Sequence, residues 1–203
     1  MKPHFIFNAI NSIQSYIIDN DVDKALHYLS MFSKLIRKTL LNASKEFIPL
    51  EEELEYLNFY IEIEKMRFEG LFTYEQIVHP EILPEAILIP PMIVQPFVEN
   101  AIKHGLIMKK ENCKLLIEVY NVDSHHFNFI VQDNGVGRIQ SNGNGDLRNA
   151  HQSKGMQIVA ERLNLLNGTH QTNAYQMAII DLLDEQGNPA GTRIEITFPI
   201  VEC

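Results

Sequence analysis

The stretch Gln95-Pro96-Phe97-Val98-Glu99-Asn100-Ala101-Ile102-Lys103-His104-Gly105 decides how the rest of the chain is interpreted. Its apolar residues recur at helical spacing, and we predict a helix over Pro91–Gly105 with a proline near its start. On that helix Asn100, Lys103 and His104 share one face. An amide, an ammonium and an imidazole on one face suit the phosphate groups of a nucleotide and their metal ion. Taken by itself, however, the stretch is better explained as an ordinary amphipathic helix with a polar outer face.

A second polar segment, Asp133-Asn134-Gly135-Val136-Gly137, comes just after the strand-like residues Phe127–Val131. A carboxylate at the end of a strand can accept a hydrogen bond from an exocyclic amine. Gly135 and Gly137 let the backbone approach a flat ring closely, because they carry no Cβ atom. A plain Asp-Asn-Gly turn is the simpler explanation when this segment is taken alone.

Two further glycines stand at the starts of predicted elements. Ser153-Lys154-Gly155-Met156 ends a polar loop, Arg138–Lys154, and opens a helix predicted over Gly155–Leu166. The free N–H groups at the start of a helix can bind phosphate. Gly191-Thr192 leads into the last predicted strand. Each of these two signals is weak when it is taken alone.

The hydrophobic pattern divides the chain into a helical first third and a mixed remainder. Asp19-Asn20-Asp21 predicts a turn and a helix N-cap, Pro49 the start of a third helix, and Gly70 its C-cap. Beyond Gly70 the pattern alternates as it does in strands. The predicted helices cover 5–16, 22–41 and 50–68, and the predicted strands cover 71–78, 114–122, 126–132, 172–183 and 192–200. We therefore predict an α+β fold with a mixed sheet of about five strands, divided into two domains, 1–69 and 70–203.

The composition argues against several classes of protein. The 203 residues carry a formal net charge of -9, whereas general binders of nucleic acid or anionic membranes are basic. The cysteines, Cys113 and Cys203, lack the spacing of a metal site and are too few for a disulfide scaffold. The longest apolar run, Ala86–Val94, is interrupted by prolines and is far shorter than the roughly 20 residues that span a bilayer.

The order of the four segments is more specific than any one of them. A helix with an asparagine comes first, and a strand that ends in Asp-x-Gly-x-Gly follows it. Next come a loop that leads through a glycine into a helix, and a Gly-Thr pair before a strand. This order resembles the ATP-binding fold shared by gyrase, MutL and the histidine kinases. The resemblance implies a GHKL-type, or Bergerat-type, α/β sandwich over residues 70–203 that binds ATP with Mg²⁺.

The N-terminal segment indicates the branch within that group. Pro3-His4-Phe5-Ile6-Phe7-Asn8 resembles the phosphoacceptor motif of the LytS-like sensor histidine kinases. Leu50-Glu51-Glu52-Glu53-Leu54, Ile63-Glu64-Lys65-Met66-Arg67-Phe68 and Gln95–Gly105 match further segments of that family in the same order. The resemblance covers essentially the whole chain. It implies a protein-histidine kinase of a two-component system whose residues 1–69 form the helical dimerisation and phosphoacceptor segment.

The resemblance implies a role for each matching residue. His4 receives the γ-phosphoryl group of ATP, and Asn8, one helical turn further on, is a candidate to orient it. Asn100 ligates Mg²⁺, and Asp133 accepts a hydrogen bond from the adenine amine. Residues 138–154 form a lid over the triphosphate. The remaining candidates contact the phosphates (Lys103, His104, Lys154, Gly155) or the adenine (Gly135, Gly137, Thr192).

Two other functions stay open. The chain departs from the family pattern where Ser153 replaces a glycine and Ile158 replaces an asparagine, which leaves room for a degenerate, non-catalytic dimer module. A GHKL-type ATPase clamp domain is the other alternative. It is disfavoured because Pro96 occupies the position at which gyrase-type ATPases place a water-activating glutamate.

The resemblance also implies partners and a location. We expect a response regulator protein to take the phosphoryl group on an aspartate, and we expect the full-length protein to be a homodimer. No nucleic-acid partner is expected. Since His4 lies almost at the start of the chain, we expect an upstream helix and a sensor region to be missing. Contact with a membrane would come only through that missing region, and this part would be the cytoplasmic domain of a bacterial inner-membrane protein.

Overall fold

Three helices open the fold. The computed structural model describes residues 3–140, 154–170 and 174–201. Helix α1 spans Pro3–Ile18, α2 spans Val22–Asn42 and α3 spans Leu50–Arg67. The carboxylate of Asp21 accepts a hydrogen bond from the backbone N–H of Lys24 at 3.2 Å and so caps α2, as the sequence predicts.

Aromatic contacts hold α1 against the other two helices. The ring of Phe5 stacks on that of Tyr60 in α3, with centroids 5.3 Å apart, and lies 6.2 Å from that of Phe32 in α2. Near the other end of α1, the hydroxyl of Tyr16 donates to the carbonyl of Met66 at 3.0 Å. Helix α1 is therefore fixed to α3 at both of its ends.

Helix α3 begins where the sequence predicts and ends differently. Pro49 is its N-cap residue, and the acidic first turn suits the positive end of the helix dipole. At the other end Phe68 is the C-cap, and the left-handed turn begins at Glu69, with φ of 52°, rather than at the predicted Gly70. The N–H of Gly70 closes the turn on the carbonyl of Lys65 at 2.9 Å, which is the bond of a Schellman motif.

The second half of the chain forms a mixed sheet of five strands in the order β2-β4-β5-β7-β6. The parallel pair is β2 with β4, and the other three neighbouring pairs are antiparallel. A separate short ladder pairs β1 with β3. The strands are β1 (Ile48–Pro49), β2 (Phe72–Val78), β3 (Leu88–Ile89), β4 (Cys113–Asn121), β5 (His126–Asp133), β6 (Gln176–Leu183) and β7 (Pro189–Pro199). The predicted α+β fold with a mixed sheet is confirmed.

The helix predicted over Pro91–Gly105 is wrong in its first residues and in its geometry. Helix α4 begins only at Gln95 and spans Gln95–Asn100, because the preceding residues turn, with Met92 in the left-handed region at φ of 55°. The chain then continues as a π-helix, Ala101–Leu106, and ends in a short helix, α5, Ile107–Lys109. The N–H of Ile107 bonds the carbonyl of Ile102, the spacing of a π-helix.

Two more helices lie at the start and at the end of the polar loop. Helix α6 spans Gly137–Gln140 and α7 spans Lys154–His170. Helix α7 contacts α4 and adds Val159 and Leu163 to a hydrophobic core that extends from Phe5 of α1 into the sheet. Among the described residues, no helix combines the length and the apolar composition needed to cross a membrane.

Backbone touches backbone where the π-helix meets the turn after β5. A Cβ atom placed on Gly135 would lie 2.4 Å from the Cα atom of Gly105 and 2.6 Å from its carbonyl oxygen. Real Cβ atoms do not approach backbone atoms that closely. Position 135 therefore requires glycine for lack of space rather than for an unusual backbone angle.

We predict that Gly135→Ala lowers the free energy of unfolding by about 3 kcal/mol, since the added methyl group forces these two segments apart. Urea unfolding monitored by circular dichroism measures the difference. Gly168→Ala in α7 is the matched control, because a Cβ atom there meets nothing within 4 Å and should leave stability equal or higher. A Gly135→Ala variant as stable as the parent would show that this contact is not a constraint.

Candidate nucleotide-binding site

The candidate site centres on a buried carboxylate at the end of β5. The side chain of Asp133 is 4% exposed and accepts a hydrogen bond from the N–H of Gly135 at 2.8 Å. Burial raises the pKa of Asp133 to about 6, and backbone hydrogen bonds from Gly135 and Thr192 oppose that rise. Thr192 pairs directly with Asp133 in the β5–β7 ladder. The structure therefore brings together three of the predicted adenine-contacting residues.

Glycines make room for Asp133 on two sides, Gly105 beside its carboxylate and Gly191 beside its main chain. A Cβ atom on Gly105 would lie 2.6 Å from an Oδ atom of Asp133, and one on Gly191 would lie 2.0 Å from the Asp133 carbonyl oxygen. Gly191 also has φ of 135°, which side-chain-bearing residues rarely adopt. The sequence presents both glycines within motifs but does not predict that they enclose Asp133.

Asn134 holds the turn that follows Asp133. Its Oδ1 accepts from the N–H of Lys114 at 2.7 Å, and its Nδ2 donates to the carbonyl of Asn112 at 2.8 Å. Its backbone carbonyl accepts from the Nζ of Lys109 at 2.7 Å. The Asp-Asn-Gly segment is thus a turn fastened to the start of β4 and to the end of α5. Lys109, which the motif comparison leaves out, is the cation whose charge opposes the rise in the pKa of Asp133.

The predicted phosphate-facing and metal-binding residues lie around the junction of α4 with the π-helix. Asn100 is the last residue of α4 and is partly exposed. The Nζ of Lys103 lies 2.7 Å from an Oε atom of Glu99, one turn earlier, so the ammonium is already paired. His104 is exposed. Among the described residues, no group of three or more His, Cys, Asp or Glu side chains could hold a metal ion.

The loop predicted to be a lid, Arg138–Lys154, lies outside the described residues except for its two ends. At its beginning, Arg138 forms a two-pronged ion pair with Asp181 of β6, with N–O distances of 2.6 and 2.7 Å. Gly137, just before it, has φ of 69°. At its end, Lys154 and Gly155 are the first residues of α7, where the sequence predicts a phosphate-binding helix start.

His4 and Asn8 lie on α1, apart from this cluster in the sequence. Asn8 follows His4 by one helical turn, and its carbonyl accepts from the hydroxyl of Ser12 at 3.1 Å. Phe5, the residue after His4, is packed on Tyr60 of α3. Helix α3 also contacts α4, which carries Asn100. One helix therefore contacts both the proposed phosphoacceptor helix and the helix of the proposed metal ligand.

The chain is similar to known sensor proteins in sequence. The histidine kinase family model matches residues 1–72. The sensor protein LytS of Bacillus subtilis is 38% identical over 137 residues, which are 68% of this chain and 22% of that protein. The sensor histidine kinase/phosphatase LytS of Staphylococcus aureus is 34% identical over the same share of this chain and 23% of its own. The chain thus spans less than a quarter of the length of these curated relatives.

Solved structures agree with the fold. The histidine kinase domain of the blue-light activated histidine kinase EL346 from Erythrobacter litoralis has a TM-score of 0.53, with 15% identity, covering 98% of this chain and 89% of that one. The mycobacterial sensor histidine kinase MprB has a TM-score of 0.50, with 17% identity, covering 78% of this chain and 100% of that one. At these sequence identities, the structural similarity is evidence for the fold alone. The family model and the sequence relatives identify the chain as a member of the LytS-like sensor histidine kinase family.

Proposed function

We propose that this chain is the kinase part of a sensor protein that binds ATP with Mg²⁺ and phosphorylates itself on His4. The observation that carries the proposal is the buried carboxylate of Asp133, which accepts from the N–H of Gly135, while Gly105 leaves room beside its side chain and Gly191 beside its main chain. Burying a carboxylate costs stability, and such groups are typical of binding sites. The resemblance of residues 3–8 to a phosphoacceptor motif supplies the acceptor.

In the proposed site, Asp133 accepts a hydrogen bond from the exocyclic amine of adenine. Thr192 lies beside it, and Gly135 and Gly137 form the adenine wall. Asn100 would hold Mg²⁺, which keeps several ligands from water and phosphate and neutralises the charge that develops on the phosphates. Lys103, His104, Lys154 and Gly155 complete the phosphate side. For Lys103 this requires the exchange of its ion pair with Glu99 for a contact with phosphate.

Phosphoryl transfer requires His4 to reach the γ-phosphate in line with the leaving oxygen. A ring nitrogen of the neutral imidazole would form the bond to phosphorus as the bond to the β–γ bridging oxygen breaks and ADP leaves. Asn8 is the proposed group that orients the ring. The anchoring of Phe5 on Tyr60 supports this role for α1, because it fixes the start of the helix that carries His4.

An apolar surface on α1 and α2 supports a homodimer. In a single copy, Phe7 of α1 is 66% exposed and Leu40 of α2 is 72% exposed. Large apolar side chains spread along two neighbouring helices are typical of a helix-bundle interface. Further members of this surface are Ile10, Ile17, Leu26 and Leu29. We propose that a second copy of the chain covers it, within a helical segment 1–69 that is distinct from an ATP-binding domain 70–203.

The partners beyond the dimer follow from the proposed activity. A phosphorylated histidine would pass its phosphoryl group to an aspartate of a response regulator protein. The net charge of -9 disfavours nucleic acid as a partner. Attachment to a bacterial inner membrane, with this part in the cytoplasm, is proposed on the resemblance to the LytS-like sensor histidine kinases.

A non-catalytic dimer module is the second candidate. Ile158, which replaces the usual asparagine of the family, is 56% exposed on α7 rather than packed in the core. An exposed apolar residue at this position favours a role in protein contacts. Nucleotide binding separates the two candidates, because the kinase must bind ATP and the module need not.

We predict that Asn100→Ala and Asp133→Ala each weaken ATP binding by about tenfold or more in the presence of Mg²⁺, because each removes a hydrogen-bonding or ligating group. Isothermal titration with a non-hydrolysable ATP analogue measures the affinities. Asn58→Ala and Asp23→Ala are matched controls, since both residues are exposed on helices α3 and α2. Unchanged ATP affinity in both site variants would contradict the assignment of Asn100 and Asp133 to a nucleotide-binding site.

A dependence on pH follows from the raised pKa of Asp133. Since that pKa is about 6, most of the carboxylate is protonated at about pH 5 and it becomes a poorer acceptor for the adenine amine. We predict that ATP affinity falls severalfold between about pH 7.5 and pH 5 in the parent and much less in Asp133→Asn. The protonation of ATP itself affects both proteins alike. Equal pH profiles would argue against a direct contact of Asp133 with adenine.

For the phosphoacceptor, we predict that the full-length protein takes label from ATP with a radioactive γ-phosphate. The label should be lost in acid and stable in base, as a P–N bond is, and should be absent in His4→Gln. His27→Gln, on the exposed face of α2, is the control that keeps the label. A dimeric full-length protein that binds Mg²⁺-ATP and takes no label would contradict the kinase proposal, and the non-catalytic dimer module would remain as the function. Label retained in His4→Gln would place the acceptor elsewhere.

A further inference from the structure

Helix α3 carries a line of polar side chains that are buried rather than exposed. Glu53, Tyr56, Tyr60 and Glu64 recur at helical spacing, and each is at most 1% exposed. We refer to these four residues as the polar seam. Burying carboxylates and phenols costs free energy unless they find partners. The partners of Glu53 and Tyr56 lie on and before helix α4, whereas Glu64 pairs with Arg67 of α3 itself.

Glu53 binds the segment that leads into α4. Its carboxylate accepts from the N–H of Met92 at 2.8 Å and from the N–H of Val94 at 3.3 Å. Val94 is the N-cap of α4, and no side chain of its own segment caps that helix. Met92 is held in the left-handed region, which is unfavourable for a residue with a side chain. Glu53 thus supplies from α3 the acceptor that the start of α4 lacks locally.

The contacts of the polar seam continue onto α4 itself. The hydroxyl of Tyr56 donates to the Oε1 of Gln95, the first residue of α4, at 2.7 Å. Burial is the main cause of the raised pKa of Tyr60, and the charges of Glu64 and Glu99 raise it further. Glu53 and Tyr56 therefore bind successive positions, from Met92 to Gln95, at the start of the segment that leads to Asn100.

A cation holds the same segment from the other side. The Nη1 of Arg162, on α7, donates to the carbonyl of Pro91 at 2.7 Å. Arg162 also faces Glu53, and its charge opposes the rise that burial causes in the pKa of that carboxyl group. The residues before α4 are thus held between α3 and α7.

We propose that Glu53 and Tyr56 are positioning residues for Asn100 in the binding of Mg²⁺-ATP. Helix α4 has six residues, about 9 Å of helix, so a displacement of its start is carried to Asn100 at its end. The inference rests on the proposed function, because Asn100 is the metal ligand only if the chain binds Mg²⁺-ATP. The direct contact of adenine with Asp133 does not pass through α4.

The test separates the contribution of Mg²⁺ to ATP affinity from the affinity that does not depend on the metal. ATP affinity is measured by isothermal titration with Mg²⁺ and again with a chelator in place of the metal, and the ratio gives the gain due to the metal. We expect Tyr56→Phe and Glu53→Gln to reduce this gain by about fivefold, while the affinity without metal stays within about twofold of the parent. Tyr28→Phe is the matched control, since Tyr28 is also fully buried but lies on α2 against Tyr16.

Amide hydrogen exchange without nucleotide gives a readout on the chain alone. The N–H groups of residues 92–100 should exchange faster in Glu53→Gln and Tyr56→Phe than in the parent, whereas Tyr28→Phe should leave them unchanged. Should Glu53→Gln fail to fold, Tyr56→Phe decides, because it removes a single hydroxyl group.

Three outcomes are distinct. A lower metal-dependent gain with preserved metal-free affinity supports the proposal. An unchanged gain in Tyr56→Phe and in folded Glu53→Gln overturns it and leaves the proposed function standing, as does an equal loss of affinity with and without metal. A parent chain with no affinity for ATP removes the proposed function itself, and the positioning role falls with it.

Discussion

The contact between the backbones of Gly105 and Gly135 is the constraint on which the rest of the candidate site depends. With no side chain on either residue, the end of the π-helix lies directly on the turn after β5. Main chain consequently lies close around Asp133, and its carboxylate accepts hydrogen bonds from backbone N–H groups. The same contact fixes where α4 points, because the π-helix continues from Asn100. One steric condition thus places both the carboxylate and the amide that the proposed function requires.

The protein buries several carboxyl groups although burying a charged group lowers the stability of a fold. Burial is the main cause of the raised pKa values of Glu53, Glu64 and Asp133. Apolar residues of similar size are often as good or better for stability than buried charged groups. The carboxylates of Glu53 and Asp133 are held chiefly by backbone N–H groups, whereas Glu64 pairs with Arg67 at 3.0 Å. Each such bond fixes a direction, which a hydrophobic contact does not, and this directionality is what a precisely placed site needs.

Local rules made much of the fold predictable from the sequence. The cap at Asp21 and the start of α3 after Pro49 depend on residues within one turn of each other, and strand periodicity gave most of the sheet. The parts that sequence could not give depend on distant partners. The delayed start of α4 depends on Glu53, which is 39 positions from Met92. Gly105 of the π-helix lies against Gly135, and local helix propensity carries no information about such a contact.

The same distinction holds for the candidate site. Motif order predicted Asp133 and Asn100 as site residues, because the family pattern specifies residue types at fixed places. Motif order did not predict the ion pair between Arg138 and Asp181, which lie 43 positions apart and come together only once β6 joins the edge of the sheet. Motif order also did not predict the ion pair between Lys103 and Glu99, although a spacing of four residues on a helix is a recognisable signal for one.

The π-helix at Ala101–Leu106 has a consequence for how this chain is compared with others. Each hydrogen-bonded ring of a π-helix contains one more residue than a ring of an α-helix. In a chain whose equivalent segment is α-helical throughout, the residue that faces the same direction as Gly105 therefore stands one place earlier or later along the sequence. An ungapped alignment of the two segments pairs residues that occupy different sides of the helix. A correct alignment places a single-residue gap inside the helix, where insertions and deletions are normally penalised most.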